Sequence, residues 1–503
     1  MASDRVRRAP PKAGPMVEAL RGLGYSAATA LADIVDNSIA AGARTIDVRF
    51  RWAGRESRVS VLDDGRGMSD AALERAMRLG EVNPLAAREA DDLGRFGMGL
   101  KTASFSQARR LTVASTQAGV TSCLRWDLDV LASNTDQEWL LLEGPHPGSE
   151  ALLEPLAGRA AGTLVLWEEM DRLVPPGSNE QDFLDLIDQV ERHLAMVFHR
   201  FIDGVRARLT IRINGRVLQP WDPFMAAHPA TWTSPQASLG GSSGRVEVSG
   251  HVLPHRDRLT EDEHTRGAGP DGWTAQQGFY VYRNERLLVA GSWLGLGRGR
   301  PWTKEEPYRL ARLRLDIPNS ADSEWRIDIR KSRARPPGSL RERLTRVAED
   351  TRERARRVFA HRGQMMPTSG REPVAHAWRA DHYSGGVRYR IDREHPAVKA
   401  VLAEAGAALP QIRAMLRVIE ETIPVQRIWL DTAEAKETPR TGFSAEPDPE
   451  VRAVAEVLFR NMTRKGGLTA AEARARLLRT EPFHLHPHLI ASLADDAAGG
   501  GGD

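Results

Sequence analysis

Asp33 and Asn37 stand four residues apart in Ala32-Asp33-Ile34-Val35-Asp36-Asn37-Ser38. On a helix, that spacing places a carboxylate and a carboxamide on one face. Such a carboxylate can orient or deprotonate a water aimed at a terminal phosphate. An amide oxygen can coordinate Mg²⁺, which takes few protein oxygens when phosphates supply the rest. The same pair also suits the polar positions of an ordinary N-terminal helix. Asp63 sits in Leu62-Asp63-Asp64-Gly65-Arg66-Gly67-Met68. There a carboxylate at a strand end can accept the exocyclic amine of adenine, and Gly65 and Gly67 let the backbone turn toward a ligand. A plain Asp-Asp-Gly surface turn has the same composition. The third segment, Gly94-Arg95-Phe96-Gly97-Met98-Gly99-Leu100-Lys101, is a GxxGxG loop running into a helix-like stretch. Backbone N–H groups at a helix N-terminus hold phosphate, helped by the helix dipole. The order is not the GxGxxG of dinucleotide folds, and Lys101-Thr102 comes one residue too late after Gly99 for a P-loop.

These segments need elements to position them. Met16–Ala41 has the apolar spacing of a helix, following a polar, proline-containing arm over residues 1–15. Thr45–Arg51 and Arg58–Asp63 alternate as strands, and residues 80–93 read as a loop. A helix is expected over Gly99–Gln107, then strands at Leu111–Ser115, Ser122–Leu128 and Thr163–Trp167, then a helix at Asp182–Ile202. Asn214-Gly215 predicts a hairpin after Ala207–Ile213. Ser234–Gly244 reads as a linker. Strands resume at Val246–Leu253, Gly278–Tyr282, Leu287–Val289 and Leu313–Ile317, and the pattern turns helical from Leu340. No internal repeat is present.

The chain has 503 residues, 41% of them hydrophobic and 27% charged, enough for two or three domains. Its formal net charge of +3 does not announce a nucleic-acid partner for the chain as a whole. Cys123 is the single cysteine, which excludes an intrachain disulfide and a Cys-based zinc site. The N-terminus lacks a secretory apolar core and no run is long enough to span a bilayer, so a soluble cytoplasmic protein without a membrane partner is expected.

Taken in order, the three segments resemble the motifs of the GHKL ATPases: gyrase B-type topoisomerases, heat-shock chaperone ATPases, histidine kinases and MutL. The first resembles their N-box, the second their DxGxG and the third their GxxGxG lid motif. Gly162-Thr163 is similar to a fourth motif. The resemblance implies ATP and Mg²⁺ as cofactors. It gives Asp33 the general-base position, Asn37 the metal and Asp63 the adenine, with Gly65, Gly67, Met68 and Thr163 around the base. It sets Gly94, Arg95, Phe96, Gly97, Met98, Gly99, Leu100 and Lys101 around the phosphates. Two positions depart from the family. Asp33 stands where Glu is usual, shorter by about 1.5 Å, so slow turnover is expected. Ala40 stands where an Asp often follows, removing some polar support.

The same resemblance extends to a transducer of the MutL and MORC types, and most closely to bacterial MORC-like proteins, some of which belong to restriction or phage-defence systems. Gly278–Arg286 resembles the transducer's "strand, then Asn-Gly-Arg" hairpin. Trp325–Ser332 resembles the strand and loop that deliver a lysine to the γ-phosphate, here Lys331. The implied behaviour is an ATP-gated clamp in which the lid between Gly80 and Gly99 orders on ATP binding and the chain homodimerises. A non-hydrolysing, nucleotide-sensing module that controls a partner nuclease or helicase is the alternative. The expected fold is α+β: a Bergerat-type α/β sandwich with an N-terminal arm over 1–228, a transducer-like α/β domain over 229–340, and a mainly helical region with a disordered tail over 341–503.

Residues 326–362 carry thirteen basic residues against five acidic ones. Such a segment can neutralise DNA phosphates. It equally fits a solvated helix with ion pairs such as Glu349 with Arg352 and Glu353 with Arg357. Ile428 and Trp429 have the character of core. His484, His486 and His488 alternate in a manner that suits a metal or, more simply, a loop. Pro449–Leu478 has the composition of a small winged-helix-like module for a partner or DNA.

Overall fold

The computed structural model describes residues 11–22, 24–81, 99–134, 138–203, 208–241, 244–321, 324–327, 334–360, 375–383, 386–428, 449–464 and 467–493. It divides into two compact units, Met1–Gln364 and Met365–Asp503.

The first unit begins with two helices where one was expected, α1 (Ala13–Arg21) and α2 (Ala27–Ala40). Gly22 and Gly24 break the run, Gly24 at φ +74. Ser26 then starts α2 with a capping box, its hydroxyl accepting from the Thr29 N–H while Thr29 Oγ1 accepts from the Ser26 N–H. Helix α1 starts inside the stretch expected to be an arm, because Ala13 and Val17 are buried.

An eight-stranded sheet follows, in the order β5-β4-β3-β6-β2-β1-β7-β8. Its strands are β1 (Thr45–Arg51), β2 (Arg58–Asp63), β3 (Arg110–Gln117), β4 (Val120–Asp127), β5 (Leu142–Glu143), β6 (Gly162–Glu168), β7 (Thr210–Ile213) and β8 (Arg216–Val217). Adjacent strands are antiparallel except β1 and β7. The alternating Ile46, Val48, Val59, Val61, Val113, Val165 and Trp167 form one buried face. Helices α1, α2, α3 (Asp70–Met77), α4 (Gly99–Phe105), α5 (Leu128–Ser133) and α6 (Glu180–Val197) supply its partners, among them Leu31, Ile34, Val35, Leu73, Phe105 and Leu194. Each such side chain removed from water contributes about 1.5–3 kcal/mol. The helix expected over Asp182–Ile202 is interrupted at Phe198, after which α7 (His199–Ile202) completes it. Asn214 and Gly215 turn β7 into β8 with φ of +48 and +83, as the Asn-Gly pair predicts.

A second sheet is ordered β10-β11-β14-β12-β13, with β9 also on β11. Its strands are β9 (Trp232–Thr233), β10 (Ala237–Gly241), β11 (Gly244–Val252), β12 (Gly278–Arg283), β13 (Arg286–Ser292) and β14 (Ala311–Ile317); the short α8 (Glu261–Gly267) precedes β12. The stretch expected to be a linker is therefore largely the edge strand β10, whose small residues are paired with β11 from Ala237 to Gly241. The apolar face, with Val246, Val248, Phe279, Val281, Leu313 and Leu315, is covered by α9 (Gly338–Ala360) through Leu340, Leu344, Ala348 and Ala355. Helix and sheet approach so closely that a Cβ on Gly250 would lie 2.1 Å from Thr351 Oγ1. The helical residues after 341 thus close this second core, and the compact division falls after Gln364. On the other face, Tyr280 and Tyr282 are buried with Phe224 and with Met196 of α6.

Ion pairing along α9 differs from the expectation at one of two places. Arg357 does bond Glu353 at 3.2 Å, but Glu349 pairs with Arg298. Arg352 is buried against the rings of Trp293, Trp302 and Tyr308, 3.7 Å from the last, because the aromatic surface takes its guanidinium out of reach of solvent.

In the second unit, a hairpin of β15 (Trp378–Tyr383) and β16 (Gly386–Ile391) precedes α10 (Pro396–Glu404) and α11 (Leu409–Glu421). Helices Pro449–Arg464, Ala470–Leu477 and Pro487–Ala491 build its core from Ala455, Leu458, Ala473, Leu477, Phe483 and Ile490. Ile428 is 43% exposed and is not core, while Trp429 lies outside the described residues. His484 lies in a short turn of helix and His488 in the last helix; among the described residues no cluster of three His, Cys, Asp or Glu could hold a metal.

Candidate active site

Helix α2 carries the site, and the two sheets meet along it. Asp33 and Asp36, one turn apart, are both buried, whereas Asn37 between buried neighbours is exposed. The helix therefore presents a carboxamide to solvent one turn from a buried carboxylate. That is the character of donor a hard Mg²⁺ ion takes.

Asp33 is held from two sides. The Tyr25 hydroxyl donates to its Oδ2 at 3.0 Å, and Tyr25 is itself steadied by Gln107, which donates to the Tyr25 carbonyl. Arg286, at the start of β13, brings a guanidinium nitrogen to 4.0 Å from Asp33 Oδ1. The Nε of Arg286 lies 3.1 Å from both oxygens of Asp36, and another nitrogen donates to the Leu287 carbonyl at 2.7 Å. His193 of α6 lies beside this pair. Burial, and then the Arg286 charge, push its imidazole down to about 4, with Asp36 pulling the other way. The first residue of α4 closes on the same carboxylate, since a Cβ on Gly99 would lie 3.5 Å from Asp33 Oδ2. The shorter acid at this position thus still reaches the end of the glycine loop.

One helical turn along, Ser38 points at the other end of the site. Its hydroxyl donates to Asp63 Oδ2 at 2.8 Å, and the Gly65 N–H donates to Oδ1 at 2.9 Å. Asp63 ends β2 and is paired in register with Thr163 of β6, which is in turn paired with Ser115 of β3. The Ser115 and Thr163 hydroxyls bond at 2.9 Å, and the Met68 N–H donates to Ser115 Oγ. Three strands therefore line up a carboxylate and two hydroxyls in one row. Burial raises the Asp63 carboxyl above its ordinary range, against the opposing bonds from Ser38, Gly65 and Thr163. Asp64, its neighbour, turns away and accepts the Arg44 and Thr45 N–H groups at the start of β1.

The glycine turn after Asp63 is sterically determined. Gly67 has φ +65, and a Cβ there would lie 1.8 Å from the Thr116 carbonyl oxygen. Arg66 braces the end of α2 by donating to the Ala40 carbonyl from its side chain and to the Ala41 carbonyl from its N–H. The backbone at Ala40 thus takes part in the polar support that its side chain lacks.

The structure brings Asp33, Asn37, Asp63, Gly65, Gly67, Met68, Gly99 and Thr163 around α2 and the adjoining strand ends. Leu100 packs against the core beside them. Lys101 is turned elsewhere: its ammonium donates to the Ala76 and Arg78 carbonyls at the end of α3, and burial pushes it down to about 8. Gly94, Arg95, Phe96, Gly97, Met98 and Lys331 lie outside the described residues. Sequence reasoning passed over Tyr25, Ser38, Ser115 and the role of Arg286. Ser38, one residue after Asn37, could have been found from helical spacing; the others are joined to the site only by tertiary contacts.

The histidine kinase-, DNA gyrase B- and HSP90-like ATPase family matches residues 25–163. Curated relatives include the DNA mismatch repair protein MutL of Rhodospirillum rubrum, 24% identical over 406 residues that cover 76% of this chain and 59% of that protein. The MutL of Acidiphilium cryptum is 29% identical over 35% of this chain and 29% of its own length. The ATPase morc-1 of Caenorhabditis elegans is 30% identical over 19% of this chain and 11% of its own. The chain spans less than two thirds of each of these relatives.

Proposed function

Since residues 25–163 form a GHKL-type ATPase domain in a chain with MutL- and MORC-like relatives, we propose that the protein binds ATP with Mg²⁺, hydrolyses it slowly, and couples this to homodimerisation in a DNA-related process. The observation that carries this reading is α2 itself. It presents buried Asp33 and exposed Asn37 one turn apart, and through Ser38 it grips Asp63. From Asp33 to Ser38 is five residues, about 7.5 Å along the axis, which separates a hydrolytic end from a base-recognising end within one ligand's length.

Asn37 would hold the metal, and the metal when bound would neutralise phosphate charge. Asp63 would accept the adenine amine, with Ser115 and Thr163 fixing the strand ends around it. The Asp33 carboxylate would take the proton from an attacking water, oriented by the Tyr25 hydroxyl on its Oδ2. Lys331 would serve the terminal phosphate, and the segment between Gly80 and Gly99 would form the lid. Slow turnover follows from the shorter acid, because a misplacement of about 1 Å costs on the order of 10²-fold. DNA contact through the exposed arginines of 326–362, and a partner nuclease or helicase in a restriction or defence system, complete the proposal.

The test is phosphate release by the wild-type chain and by Asp33→Asn, with and without DNA, beside titration of an ATP analogue. Wild-type turnover that falls ~10²–10⁴-fold in the variant, with analogue binding retained, supports the enzyme. Analogue binding without wild-type turnover under either condition makes the chain a nucleotide-sensing module instead. Gel filtration with a non-hydrolysable analogue should show a dimer; an unchanged monomer at micromolar protein removes the clamp.

A further inference from the structure

Arg286 reaches the helix of the candidate base from the other sheet. Asn284 and Glu285 have φ of +47 and +68, which turns β12 tightly into β13 and sets Arg286 at the strand's first residue. Its side chain is 5% exposed, and that of Asp36 3%. A guanidinium bonded to both oxygens of a buried carboxylate has little freedom to leave it, and Arg286 is further tied to its own strand through the Leu287 carbonyl. Asp33 and Asp36 are three residues apart on α2, so one fork can face both. The nitrogen 4.0 Å from Asp33 Oδ1 lies opposite the Tyr25 hydroxyl on Oδ2. Asp33 thus stands between a neutral donor from its own domain and a cation from the second sheet. The Phe198 ring, 5.8 Å from the guanidinium, and His193 wall the group from solvent.

We infer that Arg286 is a positioning residue for hydrolysis: through Asp36 it docks the second sheet on α2, and it sets the orientation of Asp33 without touching the nucleotide. This rests on the ATPase reading above. Base recognition by Asp63 is built from β2, β3, β6 and α2, so docking of the second sheet governs turnover and leaves recognition of the base to the first.

The experiment compares full-length wild type, Arg286→Lys, Arg286→Ala and Asp36→Asn for steady-state phosphate release and for affinity of a fluorescent ATP analogue. Circular dichroism establishes that each is folded. Expected is a kcat loss on the order of 10²-fold in Arg286→Ala, with analogue affinity held and partial recovery in Arg286→Lys, which keeps the charge and loses the fork. Asp36→Asn, which keeps the side chain's volume, is expected to lower kcat in the same direction and serves if Arg286→Ala fails to fold. Unchanged kcat in the folded variants, or parallel losses of kcat and affinity, overturns the positioning role while wild-type turnover keeps the ATPase reading. A wild type that neither binds nor hydrolyses ATP overturns both.

Discussion

The two ends of the site beside α2 hold buried carboxylates by different means. At one end Asp63 is bonded by neutral donors, the Ser38 hydroxyl and the Gly65 N–H, all within the first sheet and its helix. At the other, Asp36 and Asp33 face a guanidinium 250 positions away from Asp36 in the chain. Neutral donors leave a buried charge partly uncompensated, which is why burial still dominates Asp63. A full counter-charge compensates the other end but makes it depend on the second sheet. Under the proposed function this is a division of labour: recognition of the base would be local, and the hydrolytic geometry conditional on tertiary docking.

Arg286→Ala should have the largest effect, at the Asp36 end. Leaving Asp36 buried without its cation should lower stability by about 3–5 kcal/mol, read from urea unfolding midpoints. A change below about 1 kcal/mol would mean that water reaches Asp36 and that the two ends are not so different. Asp63→Ala should act on binding instead. Loss of a charged hydrogen bond to the base, about 1.5–3 kcal/mol, would weaken analogue affinity by roughly 10–100-fold in a nucleotide titration. Equal effects on stability and binding would contradict the local character of that end. Thr163→Val removes one hydroxyl from the row across β2, β6 and β3 and should weaken analogue binding by about 1 kcal/mol, without altering the ratio of variant to wild-type kcat at saturation.

The remaining effects are in pH, and the two ends have opposite signs. His193 takes up a proton near 6.5 when unfolded but only near 4 when folded. The unfolded chain therefore binds more protons in that window, and stability is lost as pH falls from 6.5 toward 4. Asp63 is raised above its ordinary 3.8 when folded. Here the folded chain binds the proton first, so acidification through that raised value toward 3.8 adds stability. His193→Gln should flatten the first trend in thermal melts across pH 4–7, and Asp63→Asn should remove the second.

Much of this was legible along the chain because it is local. The spacing of Asp33 and Asn37, the alternation that ends β2 at Asp63, and the Asn214-Gly215 hairpin depend on neighbours a few residues apart. Gly22, Gly24 and Ser26 mark the break between α1 and α2, but the apolar spacing continues across them and hides it. The strand at Ala237–Gly241 was hidden by its small residues: its conformation comes from pairing with β11, not from propensity. Arg352 read as a surface cation, since nothing nearby in sequence predicts Trp293, Trp302 and Tyr308 around it.

The sequence by itself determined which chemical groups are available and in what order: an acid and an amide one turn apart, an acid before a glycine turn, a glycine loop opening a helix. Only the tertiary structure decided their partners. It chose Asp63 over Asp64 to face the site, because strand register sends alternate residues to opposite sides. It turned the Lys101 ammonium to the end of α3, because that helix leaves carbonyls there to be satisfied. And it brought Arg286 to Asp36 and Asp33, because a buried pair of carboxylates requires a cation from whatever part of the chain packing can bring to it.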